Sequence, residues 1–350
     1  MEPLGAAILG LRHLHARGWA WNVHHVEEFR LVAVADPDAS LREQVASDFD
    51  VRAMRDYESA MSLDEVSVVL VLVPHSEMPD VSLAAISAGK HLIVEKPCAA
   101  NAAGFRPVAE ALQDIGLAFT TPYLWRYDPV VLRARELICA GEIGQIAYLA
   151  GRINAGAPER YAELSPWMLE RAKSGGGPLL NLGVHWVDAL SWLVGSEPVA
   201  VTGQTGRLMA PHLDIEDHAR VLLRFATGQQ ALVETSYAMP SSYPPTGYDS
   251  AMLLKGTEGY VEWTQRDDVF LVCTRDGEAR AEALDRTAGG WTDAQGYGGA
   301  NGLNFLADFA AAVGDGRAPP ITARDALRAL LVADAAYRSA AAGRTVEVSW

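Results

Sequence analysis

A lysine, an asparagine and a histidine carry most of the chemistry that can be read from this chain. Lys96 stands in Glu95-Lys96-Pro97, directly after the apolar run Leu92-Ile93-Val94. Such a run reads as a buried strand, and nucleotide-binding sheets hold their ligands at the carboxyl ends of their strands. Pro97 fixes φ and stops the strand, which keeps the lysine at the rim of a cleft. Further on, Gly175-Gly176-Gly177-Pro178 leads into Leu179-Leu180-Asn181-Leu182-Gly183-Val184-His185-Trp186-Val187-Asp188. If a helix follows the glycines, Asn181 and His185 share one of its faces at spacing i, i+4. A histidine suits proton removal from a hydroxyl because it titrates near neutrality. An asparagine cannot exchange a proton there, but it both donates to and accepts from a hydroxyl. Taken singly, Lys96 also reads as a surface lysine at a strand end. His185, flanked by Val184 and Trp186, also reads as a satisfied core histidine.

The elements that must position these residues alternate in the first part of the chain. Ala6–Leu9, Phe29–Ala35, Val66–Val73, His91–Val94 and Leu117–Thr120 read as strands, and Leu41–Phe49, Ser76–Ala88 and Ala102–Ile115 as helices. Near-continuous apolar strands between helices predict a parallel, doubly wound Rossmann sheet. A boundary near Pro122 divides the chain into a nucleotide-binding domain, 1–122, and a second domain, 123–350. The second domain opens with a helix over Pro129–Ala140, closed by Gly141. Strand patterns follow at Gln145–Asn154, Val199–Gly206, Ala219–Phe225, Gln230–Tyr237, Ala251–Lys255, Tyr260–Thr264 and Val269–Thr274, with turn signals at Thr227-Gly228 and Asp276-Gly277. Strands joined by short turns predict an α+β domain with a large, mainly antiparallel sheet. Helices over Leu303–Val313 and Ala323–Ala342 close the chain, and Gly289 to Gly299 reads as a glycine-rich connection.

A dinucleotide fingerprint after a first strand is G-x-G-x-x-G. Here the stretch is Gly10-Leu11-Arg12-His13-Leu14-His15, in which only the first glycine remains. Either Arg12 turns outward and the amides at the helix start still bind pyrophosphate, or nucleotide binding is lost. Asp36, at the end of the second strand, favours binding. An acid there accepts from the adenosine ribose hydroxyls and repels a 2′-phosphate, which selects NAD over NADP. Asp36-Pro37 also reads as a turn opener.

Glu95-Lys96-Pro97 followed by the glycine run and Gly183-Val184-His185-Trp186-Val187-Asp188 resembles the glucose–fructose oxidoreductase / inositol dehydrogenase (Gfo/Idh/MocA) family. The resemblance includes Leu31–Asp36 with Pro37, Ala88-Gly89-Lys90-His91, Gly141-Glu142-Ile143-Gly144 and the stretch from Phe305 to Val346. It implies an NAD(P)-dependent dehydrogenase acting on a secondary alcohol or ketone of a sugar, a cyclic polyol or a sugar derivative. Lys96 would orient the substrate and relay a proton, His185 would be the acid/base, and Asn181 stands where the family commonly has aspartate. Gly10, Leu11, Arg12, Asp36, Pro74, His75, Glu95 and Lys96 would face the cofactor. His75 and Met78 replace the asparagine and histidine of the family's Pro-Asn-x-x-His. Tyr123, Arg126, Tyr161 and Trp167 would border the substrate together with Asn181 and His185. The open sheet of the second domain implies a homodimer or homotetramer. Two other readings use the same fold: a glycosidase that uses NAD transiently, and a non-catalytic NAD- or sugar-sensing regulator.

Composition bounds the rest. The net charge of −15 argues against nucleic-acid and anionic-membrane partners. No run of eighteen apolar residues occurs. The N-terminus enters a strand pattern without a basic region, so it does not read as a signal peptide. Cys98, Cys139 and Cys273 are odd in number and lack metal spacing, which reads as reduced thiols in a cytoplasmic protein. No carboxylate or cysteine stands at ligand spacing from His13 and His15 or from His24 and His25, so no metal site is expected.

Overall fold

The computed structural model describes residues 2–156, 158–239, 248–286 and 296–350. The chain runs β1 (Leu4–Leu9), α1 (Ala16–His25), β2 (Phe29–Ala35), α2 (Ala39–Phe49), β3 (Arg52–Met54), α3 (Tyr57–Met61), β4 (Val68–Val71), α4 (Met78–Ser87), β5 (His91–Val94), α5 (Ala102–Ala111) and β6 (Phe119–Thr120). These six strands form one sheet in the order β3-β2-β1-β4-β5-β6, with every pair parallel. Chain direction across the sheet reverses between β1 and β4, so a cleft opens beyond their carboxyl ends. β1, β2, β4 and β5 are almost wholly buried, as their apolar runs require.

The chain continues through α6 (Pro129–Cys139), β7 (Ile146–Gly156), α7 (Glu159–Leu164), α8 (Arg171–Ser174), α9 (Val184–Val194), β8 (Pro198–Gly206), β9 (His218–Phe225), β10 (Gln230–Met239), β11 (Tyr248–Gly256), β12 (Tyr260–Thr264), β13 (Val269–Cys273), β14 (Ala279–Glu282), α10 (Gly299–Asp315), α11 (Ala323–Ala342) and β15 (Val346–Glu347). The second sheet has nine strands in the order β14-β13-β12-β11-β7-β10-β9-β8-β15. Only β7 and β10 pair in parallel, so the sheet is mainly antiparallel. One face of this sheet receives α9. The Trp186 ring lies against Gly151 of β7, where a Cβ would come within 2.4 Å of the indole, so a glycine is required for this approach. No described helix is long and apolar enough to cross a membrane.

Several elements were not read from sequence. β3, α3, β14 and β15 carry no clean apolar period, and β3 is largely exposed; α1 places Ala16, Trp19, Ala20 and Val23 at helical spacing but also buries Asn22. The glycine-rich connection falls partly outside the described residues, over 287–295. Its end is not simply a surface link, because Tyr297 is buried and Gly299 begins α10.

Candidate active site

The strand β5 delivers Glu95 and Lys96 to its carboxyl end, and both are buried. The Lys96 ammonium donates to Asn181 twice, to Oδ1 at 2.6 Å and to the backbone carbonyl at 2.8 Å. The Asn181 amide nitrogen donates in turn to the Tyr237 hydroxyl at 2.9 Å. Asn181 does not sit on a regular helix. Leu179–Gly183 forms a wider π turn that leads into α9, and such turns recur at functional sites. Its start is held by Glu216, which accepts from the amides of Gly177 at 2.9 Å and Leu179 at 3.2 Å and from the Tyr337 hydroxyl at 2.8 Å. Asn181 and His185 nevertheless face one cavity.

Burial holds the Lys96 ammonium down to about 8, against the pull of the neighbouring Glu95 carboxylate. Asn181 contributes no charge to this balance. The expectation that His185 titrates near neutrality needs correction. Burial, then Lys96 and His15, push it well below its ordinary value, and its Nδ1 is buried without a protein partner.

The cavity is small, about 60 Å³, and partly open. Trp125, Tyr161, Tyr248 and Tyr297 give it aromatic walls, while Lys96, Asn181, His185, His15, Ser250 and Gln265 supply polar groups. Among the described residues that line it, Lys96 is the one ammonium or guanidinium, and there is no carboxylate. Tyr161 is therefore where the sequence placed it, but three other expected lining residues are not. Tyr123 stands behind the cavity, edge-on to the His185 ring at 6.0 Å. Arg126 spends its guanidinium elsewhere. Nε donates to Asp188 at 2.8 Å, one terminal nitrogen to Asp325 at 2.8 Å, and the other to the Pro320 carbonyl at 3.1 Å. This buried ion network ties α9 to α11 and commits four of the five guanidinium N–H groups. Trp167 covers the loop after β1 and donates from Nε1 to the Arg12 carbonyl at 3.2 Å. Tyr237, Trp125, Tyr248, Ser250, Gln265 and Tyr297 were missed by sequence reasoning. Only alternation along the strands could have pointed Tyr237 inward.

In the loop after β1, Gly10 has φ +90° and no room for a Cβ, which would come 2.9 Å from the Leu72 backbone. The Asp36 carboxylate accepts from the amides of Leu11 and Asp38, each at 2.8 Å. The Arg12 side chain turns outward and pairs with Asp38 at 3.3 Å. Ser165 also donates to the Arg12 carbonyl, at 2.9 Å. His15 stacks on Tyr297 at 3.8 Å and brings Nδ1 to 3.3 Å from Glu95. The other Glu95 oxygen accepts from Trp19 at 2.7 Å. Ligating atoms of His13, His15 and Glu95 all lie within 4.8 Å of one another. The premise that no carboxylate accompanies these histidines is therefore corrected, since parallel strands bring Glu95 to the loop. His13 Nδ1, however, accepts the His15 amide at 3.1 Å, which engages that lone pair and puts the ring's proton on Nε2. In this arrangement His13 has no lone pair free for a metal. Beside the loop, Pro74 follows β4, His75 is buried, and Met78 is buried as the first residue of α4.

These residues fit a dinucleotide. Among the described residues, the amides of Arg12, His13 and Leu14 donate to no protein group, and they precede the N-terminus of a ten-residue helix. The Nε2 atoms of His13 and His75 are buried without protein partners. Asp36 stands where an adenosine ribose would be read.

Fold and loop together define the class, an oxidoreductase built on a Rossmann domain. Residues 4–123 match the family model described as "Oxidoreductase family, NAD-binding Rossmann fold" and residues 131–262 match the GFO/IDH/MocA C-terminal domain. The chain belongs to the Gfo/Idh/MocA family, and its N-terminal domain binds NAD. It is 28% identical to the inositol 2-dehydrogenase of Rhizobium meliloti (strain 1021) over 99% of this chain and 98% of that one. It is 23% identical to the levoglucosan dehydrogenase of Pseudarthrobacter phenanthrenivorans over 99% and 97%. In structure it is similar to a levoglucosan dehydrogenase solved with NADH and levoglucosan, with a TM-score of 0.88 and 21% identity over 99% of this chain and all of the other.

Proposed function

We propose that the chain interconverts a secondary alcohol and a ketone on a sugar or cyclic polyol, with Lys96 as the residue that moves the proton. The observation that carries this reading is the environment of Lys96: buried, gripped twice by an uncharged asparagine, and opening onto the cavity. NAD, when bound, accepts or returns the hydride. Two of the three Lys96 N–H bonds are committed to Asn181. The remaining position is a proton in the ammonium and a lone pair in the amine. With a pKa of about 8, both forms are present near neutral pH, so the group can take a hydroxyl proton or give one back. His185, held neutral, offers its unpartnered Nδ1 to a second oxygen. Asn181 sets the direction of the Lys96 nitrogen, and Tyr237 sets Asn181. Aromatic walls suit the C–H faces of a ring. The inositol and levoglucosan dehydrogenases among its relatives support the substrate class.

NADH formation across a panel of inositols, sugars and anhydrosugars tests the reading. Lys96→Ala is expected to lower turnover by roughly 10²–10⁴-fold on the responding compound. Full activity in that variant refutes the assignment.

The division near Pro122 and the cytoplasmic location belong to the same proposal. The unpaired state of Cys98, Cys139 and Cys273 supports the latter. Self-association through the open face of the second sheet belongs to the proposal as well. Leu222, Leu232, Ala150 and Leu253 stand in register across β9, β10, β7 and β11, and Leu222 and Leu232 are exposed.

A further inference from the structure

We infer that His13 and His75 together recognise the carboxamide of the nicotinamide ring, His13 donating to its oxygen and His75 accepting from its amino group. The inference rests on the reading of the chain as NAD-dependent and adds the recognition of one end of that cofactor.

The two tautomers follow from the backbone. His13 Nδ1 accepts the His15 N–H at 3.1 Å, so in the neutral ring the proton resides on Nε2. His75 Nδ1 lies 2.8 Å from the Ser174 carbonyl oxygen. A carbonyl only accepts, so Nδ1 carries the proton and Nε2 has the lone pair. Burial keeps both rings neutral: His75 is pushed down to about 3, and His13 well below its ordinary value. One buried donor and one buried acceptor therefore result, and neither Nε2 has a protein partner. His13 and His75 are 2% and 1% exposed. Leaving such groups unpaired is costly.

Their placement is that of a cofactor site. His13 belongs to the loop after β1 and His75 to the loop after β4, the adjacent strands that flank the reversal in chain direction. Both rings pack on one indole, Trp167, with centroids at 5.7 Å for His13 and 4.9 Å for His75. Trp167 is itself pinned to the Arg12 carbonyl. A primary carboxamide presents an acceptor and a donor in one rigid plane, which is the complement of the two nitrogens.

The test is a binding titration of the full chain with three probes: NAD⁺, its 3-acetylpyridine analogue and ADP-ribose. The analogue keeps the carbonyl oxygen but replaces the amino group by methyl, and ADP-ribose lacks the pyridine ring. The parent is expected to bind NAD⁺ about 5- to 10-fold more tightly than the analogue, the value of one neutral hydrogen bond. His75→Phe should bring that ratio close to one and leave ADP-ribose affinity unchanged. His13→Phe should weaken both pyridine dinucleotides by a similar factor, over and above any change in ADP-ribose affinity caused by loss of the acceptor for the His15 amide. His13→Gln, which keeps an N–H near the end of the side chain, should recover part of the loss. Equal affinity of the parent for NAD⁺ and the analogue overturns the proposal, and so does discrimination that survives His75→Phe. Equal losses of affinity for NAD⁺, the analogue and ADP-ribose in His13→Phe overturn the role of His13, because the residue then acts on the loop alone. A parent that binds neither NAD⁺ nor ADP-ribose overturns the dinucleotide reading itself.

Discussion

Asn181→Asp is the most discriminating perturbation of this site. The side chains are nearly isosteric, so the contact at 2.6 Å between position 181 and the Lys96 nitrogen should persist with a full negative charge on the acceptor. At an effective dielectric near 20, opposite charges about 3 Å apart attract by roughly 5 kcal/mol. Burying the new carboxylate offsets part of this, and the shift typical of such pairs is about 1–3 units. Lys96 should therefore rise from about 8 to roughly 9–11. The sign is fixed: a higher pKa stabilises the ammonium. Alcohol oxidation needs the free amine, so its kcat/KM should climb with pH through about 8 in the parent and one to three units higher in the variant. At pH 7.5 the amine fraction falls by about 10- to 1,000-fold for a shift of that size, and the oxidation rate should fall with it. Ketone reduction, which consumes the ammonium's proton, should be spared at the same pH. The assay is NADH formation and consumption from pH 6 to 11, with folding checked by circular dichroism. An unmoved alkaline limb, or a variant faster than the parent in oxidation at pH 7.5, refutes Lys96 as the titrating group and returns that role to His185.

Other expectations concern stability, selectivity and assembly. Lys96 is depressed from its ordinary 10.5 to about 8. The unfolded chain thus binds more protons between those values, and stability rises with pH across that window. Lys96→Met should raise the melting temperature at pH 7, and the gain should fade as pH rises through 8 to 10.5; a gain independent of pH would contradict the buried-ammonium argument. Arg126→Leu strands Asp188 in the core and should cost about 3–5 kcal/mol in denaturant unfolding, whereas a change confined to KM would restore Arg126 to the substrate. Asp36→Ala removes the acceptor for the Leu11 amide and the repulsion of a 2′-phosphate. It should narrow the preference for NADH over NADPH in calorimetry, and an unchanged ratio would separate Asp36 from the ribose. Leu222→Glu with Leu232→Glu places charge opposite charge on adjacent strands of the open face, and light scattering should then report a smaller particle.

The sequence was most legible where local pattern and tertiary role coincide. Phe29–Ala35, His91–Val94, Tyr260–Thr264 and Ala323–Ala342 have the bounds their apolar periods predict. Motif spacing locates Lys96, Asn181 and His185, and Tyr161 is suggested by its place before the glycine run; all four reach one cavity. Tyr123, Arg126 and Trp167 were misplaced for a common reason. Proximity along the chain brings a residue to the wall of a site but does not say which side of the wall it faces. Arg126 faces Asp188 and Asp325, partners 62 and 199 residues away. No local pattern could reveal that.

The departures from the family pattern are another matter, because their meaning is collective. Taken one at a time, a histidine in the glycine loop, His75 for asparagine and Asn181 for aspartate read as erosion of a nucleotide site. Packed together they have a consistent electrostatic logic. Burial keeps His13, His75 and His185 from protonating near neutral pH. Glu95, beside Lys96, is held on one oxygen by Trp19 and approached on the other by His15. Replacing aspartate with Asn181 removes a second carboxylate from the immediate surroundings of Lys96. Burial brings Lys96, within the cavity, into the working range of pH. An amide in place of a carboxylate thus lowers the lysine into that range while keeping the hydrogen bond that aims it.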